Sequence, residues 1–156
     1  MAYFRTSRNT ELSLIYFLET EIGNDWSGIS VVKTFTQATK ATLPVVCIRL
    51  IDNNPIRLEI GDDTLLDTYG IVIDIFTTSD GMRLDLSDYI EDKLKDGWVH
   101  YDHSQTVGNT SELTRSANGR DRVLSFTENS SLDFGGATDS RDKYRQVISM
   151  QVRSSA

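Results

Sequence analysis

The amino-acid sequence predicts an α+β fold: a mostly antiparallel β-sheet with an N-terminal helix and a central helix. Three observations predict it. Apolar residues recur at helical spacing in only two segments, 10–22 and about 80–96. The other apolar residues fall in short β-branched runs bounded by Gly, Pro, Asn and Asp. The chain then closes on two strand-like runs joined around Gly135-Gly136, a short connection of the kind that leaves strands antiparallel. At 156 residues, 38% hydrophobic and 25% charged, the composition suits one domain over 1–156 with a sizeable core.

In the first helix Thr10 is the expected N-cap, Glu11 suits the first turn and Gly23 supplies the stop. Leu12, Ile15, Leu18 or Glu19, and Ile22 would form one stripe, which Leu14 and Phe17 widen. So wide an arc implies burial on more than one side, inside the domain or against a neighbouring subunit. Leu14 and Phe17 are therefore candidate subunit contacts.

Ile29 to Phe35 reads as a strand from its β-branched residues. After Pro44 the run Val45-Val46-Cys47-Ile48-Arg49-Leu50-Ile51 predicts a central strand covered on both faces. Asp52-Asn53-Asn54-Pro55 is turn chemistry, and Ile56, Leu58 and Ile60 alternate with polar residues in a strand with one wet face. Residues 68–77 form another strand, with Ile71, Ile73 and Ile75 on one face and Val72, Asp74 and Phe76 on the other. In the second helix Leu86, Ile90 and Leu94 recur every fourth residue, Ser79-Asp80 precedes its start and Gly97 marks its end. Asp85, Asp88, Glu91 and Asp92 lie on its outer face.

Trp98 to Asp102 is a short strand. Residues 104–121 hold little that is apolar beyond Val107 and Leu113, which predicts a projecting polar loop too long for a passive connection. Val107 and Leu113 are its candidate partner contacts. Closing strands are expected at roughly 122–134 and 142–153. In the second, Tyr144, Gln146, Ile148, Met150 and Val152 share a face, while Arg145, Gln151 and Arg153 point away. Arg145 and Arg153 complete the candidate contacts.

A formal charge of −7 argues against a protein that reads nucleic acid by neutralising phosphates, and against docking on an anionic membrane. No apolar run approaches the roughly 20 residues that span a bilayer. Met1 to Arg5 lacks the apolar core of a signal peptide, so synthesis in a cytoplasm is expected. Cys47 is the single cysteine, which excludes an intrachain disulfide.

Few residues suggest chemistry. In His100-Tyr101-Asp102-His103 a regular strand sends the two imidazoles to opposite faces, unable to share a metal unless the strand bends. Asp62-Asp63 with Asp67 lacks the alternating oxygen ligands of a calcium loop and reads as a solvated turn. Cys47 lies in the most hydrophobic strand, where a thiol behaves as a small apolar residue. There is no GxSxG elbow, phosphate-cradling glycine loop or CxxC pair. The expectation is no catalytic, cofactor or metal site, and a protein that works by binding or assembly.

One stretch resembles a known family. Asp74-Ile75-Phe76, then Asp80-Gly81-Met82-Arg83-Leu84-Asp85-Leu86, then Lys95-Asp96-Gly97-Trp98 and Tyr101-Asp102 resemble tail-terminator or neck (head-tail joining) proteins of tailed bacteriophages. The order of elements is similar too: an N-terminal helix, strands, a central helix packed on the sheet and a closing antiparallel pair. The resemblance implies a virion structural protein made in the host cytoplasm. It would form a homo-oligomeric ring, usually a hexamer, that ends the tail tube and joins it to the head-side connector. Its partners would be itself, the tail tube protein and the neck or connector protein, with DNA passing through unbound. No catalytic residue is implied. The alternatives are a head-completion or stopper protein of the neck, an adaptor that binds through a sheet edge, and a small enzyme or ligand-binding domain using carboxylates such as Asp74 or Asp80.

Overall fold

The computed structural model describes residues 6–57, 60–61, 65–105, 113–132 and 144–155. Its first helix, α1 (Thr6–Asp25), begins one turn earlier than the sequence predicts. Thr10 is not a cap; its hydroxyl donates to the Thr6 carbonyl 2.8 Å away, a bond made within a helix. Gly23 lies inside the last turn, where its cost of about 1 kcal/mol does not stop the helix. The buried line is Leu14, Leu18 and Ile22, four residues apart, with Asn9, Thr10 and Ser13 buried beside it. Leu12 and Ile15 are only half-buried.

Strand β1 (Ser30–Val32) ends before the predicted limit, and a short helix α2 (Phe35–Lys40) follows. Its signal is a capping box at Thr34. The Thr34 hydroxyl accepts the Gln37 amide at 3.1 Å, and the Gln37 side chain accepts the Thr34 amide at 3.2 Å. Strand β2 (Val45–Asn53) pairs with β1 in parallel and with β5 (Tyr69–Phe76) antiparallel. Between β2 and β5, β3 (Ile56–Arg57) and β4 (Leu65–Leu66) form a separate two-stranded sheet; Leu58 and Glu59 lie outside the described residues.

Helix α3 (Asp80–Leu94) has Ser79 as N-cap, its hydroxyl accepting the Met82 amide at 3.2 Å, and buries Leu86, Ile90 and Leu94 as predicted. Gly97, with φ 77°, turns the chain into β6 (Trp98–Gln105). Strand β7 (Leu113–Leu132) pairs with β6 and then with β8 (Arg145–Ser154), which returns beside β5. The order is β1-β2-β5-β8-β7-β6, antiparallel except at β1–β2, in a curled sheet. The α+β architecture is the one predicted.

The core lies on one face of this sheet. Isoleucines 48, 71, 73, 75 and 148, with Met150 and Val152, meet α1 and α3 there and are at most 1% exposed. Each such side chain contributes about 1.5–3 kcal/mol by leaving water. On the opposite face a smaller cluster of Ala38, Val45, Cys47 and Phe76 forms under α2.

The predicted loop over 104–121 is instead mostly strand, since β6 continues to Gln105 and β7 starts at Leu113. Strand β7 advances three residues, from Arg120 to Ala117, while β6 advances two. This bulge is taken up at Gly119, whose φ of 81° suits glycine. Val107 and the Gly135-Gly136 turn lie outside the described residues.

Candidate assembly surface

The outer edge of β6 is closed by polar side chains of α1. The Ser13 hydroxyl accepts the Tyr101 amide at 2.9 Å and donates to the Tyr101 carbonyl at 3.3 Å. One turn earlier, the Asn9 side-chain oxygen accepts the His103 amide at 3.2 Å, and Arg8 Nη2 donates to the His103 carbonyl at 2.8 Å. The helix thus supplies what an adjacent strand would, which accounts for the buried Asn9 and Ser13. Aromatic contacts complete the seam: Tyr16 meets Tyr101 edge-on at 5.4 Å, and Phe17 stacks on Trp98 at 6.0 Å.

Both helix residues proposed as subunit contacts are used within the chain. Leu14 is fully buried in the core, so it has no surface to offer a partner. Phe17 is half-buried on Trp98 and faces a cleft of ≈ 270 Å³ between α1 and β6. Leu113 begins β7 opposite Gln105.

Strand β7 has a different edge. From Arg122 to Leu132 it pairs only with β8, since its register with β6 ends at Asp121. Among the described residues no strand takes its other side there. The segment Leu124-Ser125-Phe126-Thr127-Glu128-Asn129 carries one charge and neither lysine nor proline, the residues that usually guard an edge. Leu124 is 49% exposed and Phe126 37%. At the far side of the sheet the other edge, β1, is three residues long.

The two arginines named from the sequence have separate settings. Arg145 holds Asp74 at 2.7 Å, and Arg49 approaches the other carboxylate oxygen at 3.5 Å. The Arg49 guanidinium lies 3.8 Å from the centre of the Phe35 ring. Arg145 therefore ties the sheet together, with only 13% of its side chain exposed. Asp74 is bound between two cations, and Asp80 pairs with Arg83 at 2.8 Å, so each carboxylate is engaged by a guanidinium group.

Arg153 stands directly opposite Arg122 in the β7–β8 register. Together with Arg120, Leu124 and Leu66 they line an open groove of ≈ 490 Å³. Arg153 reaches the Thr68 hydroxyl at 3.4 Å, and Arg120 donates to the Asp96 carbonyl at 3.1 Å. No carboxylate among the described residues pairs with any of the three.

His100 is buried with its Nδ1 3.0 and 3.1 Å from the Asp121 carboxylate oxygens and 3.3 Å from the Ser154 hydroxyl. Carboxylate and hydroxyl thus share one ring nitrogen. A nucleophile relay requires them on opposite nitrogens, so this trio is a buried polar anchor. His103 is also buried. Burial, then the Arg115 charge, lowers its pKa below the usual value.

Burial pushes the Cys47 thiol up, and Asp74 adds to the effect, which makes it a poor nucleophile. Asp67 accepts from Asn53 and Tyr69, each at 3.3 Å, whereas Asp62 and Asp63 lie outside the described residues. Among the described residues no group of His, Cys, Asp or Glu is arranged to hold a metal ion, and no helix is long and apolar enough to cross a membrane. The sequence matches no protein-family model and no curated protein.

Proposed function

We propose that this chain is a virion structural protein of the tail–neck junction, a subunit of a ring that ends the tail tube and joins it to the head-side connector. The observation that carries this reading is the unequal treatment of two neighbouring strand edges. The β6 edge is capped bond by bond from α1, while among the described residues β7 keeps an edge from Arg122 to Leu132 that no strand covers and that holds no lysine or proline, with Leu124 and Phe126 exposed. An unguarded edge of that length is a template for another chain. A contact between unlike surfaces of identical subunits repeats around a ring when the rotation closes.

Two further points support it. The observed order of helix, strands, central helix and closing antiparallel pair is the order that the tail-terminator resemblance implies. A ring of subunits each carrying −7 would repel phosphates, letting DNA pass without sticking.

The test is imaging of purified protein and of assembled particles, with Phe126→Lys beside the wild type. Annuli from the wild type, located at the tail–neck junction, are expected. Phe126→Lys should retain the circular dichroism of the fold and lose the annuli. A chain absent from virions and monomeric on isolated tail tubes would remove the ring reading.

A further inference from the structure

Resting on the ring reading, we propose that the outward face of α3 on one copy docks into the arginine groove of the next. The groove needs an anionic occupant. Arg122 and Arg153 face each other across β7 and β8, a like-charge pairing that disfavours the sheet, and Arg120 lies beside them. The Nε of Arg153 is buried with no acceptor among the described residues. Guanidinium groups so placed are suited to carboxylates, which they bind through paired hydrogen bonds.

Helix α3 carries the complement. Asp80 is paired with Arg83, and Asp92 with Lys95 at 2.6 Å. Asp85 and Asp88 are exposed, three residues apart on the helix surface, and make no ion pair among the described residues. Beside them Leu84 is 47% exposed, matched in the groove by Leu124 at 49%. Each surface therefore offers an exposed leucine flanked by charge that no described residue compensates, negative on α3 and positive in the groove.

The two surfaces lie on opposite sides of the subunit. Helix α3 packs on the sheet face that holds Ile148, Met150 and Val152, whereas Arg153 alternates to the other face. A patch and its complement on opposite sides cannot satisfy each other within one copy, but they join successive copies head to tail. Arg122 and Leu124 also belong to the open segment of β7, so the groove continues the proposed subunit boundary.

Charge reversal and cross-linking test the pairing. Arg122→Glu and Asp88→Arg should each weaken self-association at least tenfold in sedimentation or annulus counts, and the combined variant should restore it. Leu84→Cys and Leu124→Cys proteins, mixed and oxidised, should give a disulfide-linked dimer that neither gives alone. Annuli that persist unchanged in both single reversals would overturn the docking while leaving the ring reading intact. So would inorganic phosphate or DNA bound at the groove and lost in Arg122→Glu while assembly stays normal. Loss of assembly in both singles, with wild-type circular dichroism but no recovery in the combined variant, would also reject the pair. A wild type that never self-associates, in solution or on tail tubes, removes the ring reading and the docking with it.

Discussion

The Ser13 hydroxyl serves both polar groups of one residue, accepting the Tyr101 amide at 2.9 Å and donating to the Tyr101 carbonyl at 3.3 Å. A single oxygen on α1 thus takes the place of a neighbouring strand at the edge of β6. Ser13 is fully buried, so water cannot readily replace it. Ser13→Ala should destabilise the fold by about 1–3 kcal/mol, the cost of leaving buried backbone groups unpaired. Thr20→Ala, which removes an exposed hydroxyl bonded to its own helix, should change the denaturation midpoint far less. Equal midpoints for the two variants would show that α1 does not close this edge.

Asp74 joins three strands through charge. It lies on β5, with Arg49 on β2 and Arg145 on β8, and its side chain is 2% exposed. Removing the carboxylate takes away the counter-charge shared by Arg145, 13% exposed, and Arg49, 34% exposed. Asp74→Ala should therefore cost about 3–5 kcal/mol of stability, as for a buried ion pair that loses one partner. Urea denaturation of the purified variant reads this directly. A loss below 1 kcal/mol would mean that solvent already screens the arginines.

Gly97 couples α3 to the sheet. Its φ of 77° is left-handed, and a Cβ there would lie 2.6 Å from the Asp121 carbonyl oxygen, which belongs to backbone and cannot swing aside. Gly97→Ala should destabilise by more than about 1 kcal/mol, since strain and overlap act together. Gly23→Ala is the control, because nothing lies within 4 Å of the added methyl and alanine is favoured over glycine within a helix. It should hold or raise the melting temperature.

Elements whose apolar period matched their burial were legible in the sequence. Ile71, Ile73 and Ile75, and Leu86, Ile90 and Leu94, are buried where periodicity placed them. What failed were elements held by polar contacts. Residues 115–120, Arg-Ser-Ala-Asn-Gly-Arg, are all exposed and stay in β7 through backbone pairing, so no hydrophobic alternation marks them. Asn9 and Ser13 are buried because β6 presents backbone groups to them, a relation across more than 85 residues that no local pattern carries. Of the candidate contacts, Arg153 lines an open groove, while Leu14 belongs to the core and Arg145 to the Asp74 network. Arg122 faces Arg153 through the β7–β8 register, a pairing between separate segments that no local pattern carries.

The imidazole of His103 should make stability fall on mild acidification. Burial and the Arg115 charge hold its pKa below the usual 6.5 when folded; the Tyr101 backbone opposes them, and His100 and Arg8 add smaller lowering contributions. The unfolded chain therefore binds the proton first. Above the unfolded value both states are neutral there and His103 imposes no penalty. As pH falls below about 6.5 the unfolded state gains a proton that the folded state resists, and stability is lost until the folded group titrates as well. Melting temperatures measured from pH 7.5 to 5 should drop more steeply for the wild type than for His103→Leu, the carboxylates affecting both alike. Parallel curves would show that the imidazole titrates in the fold as it does in water.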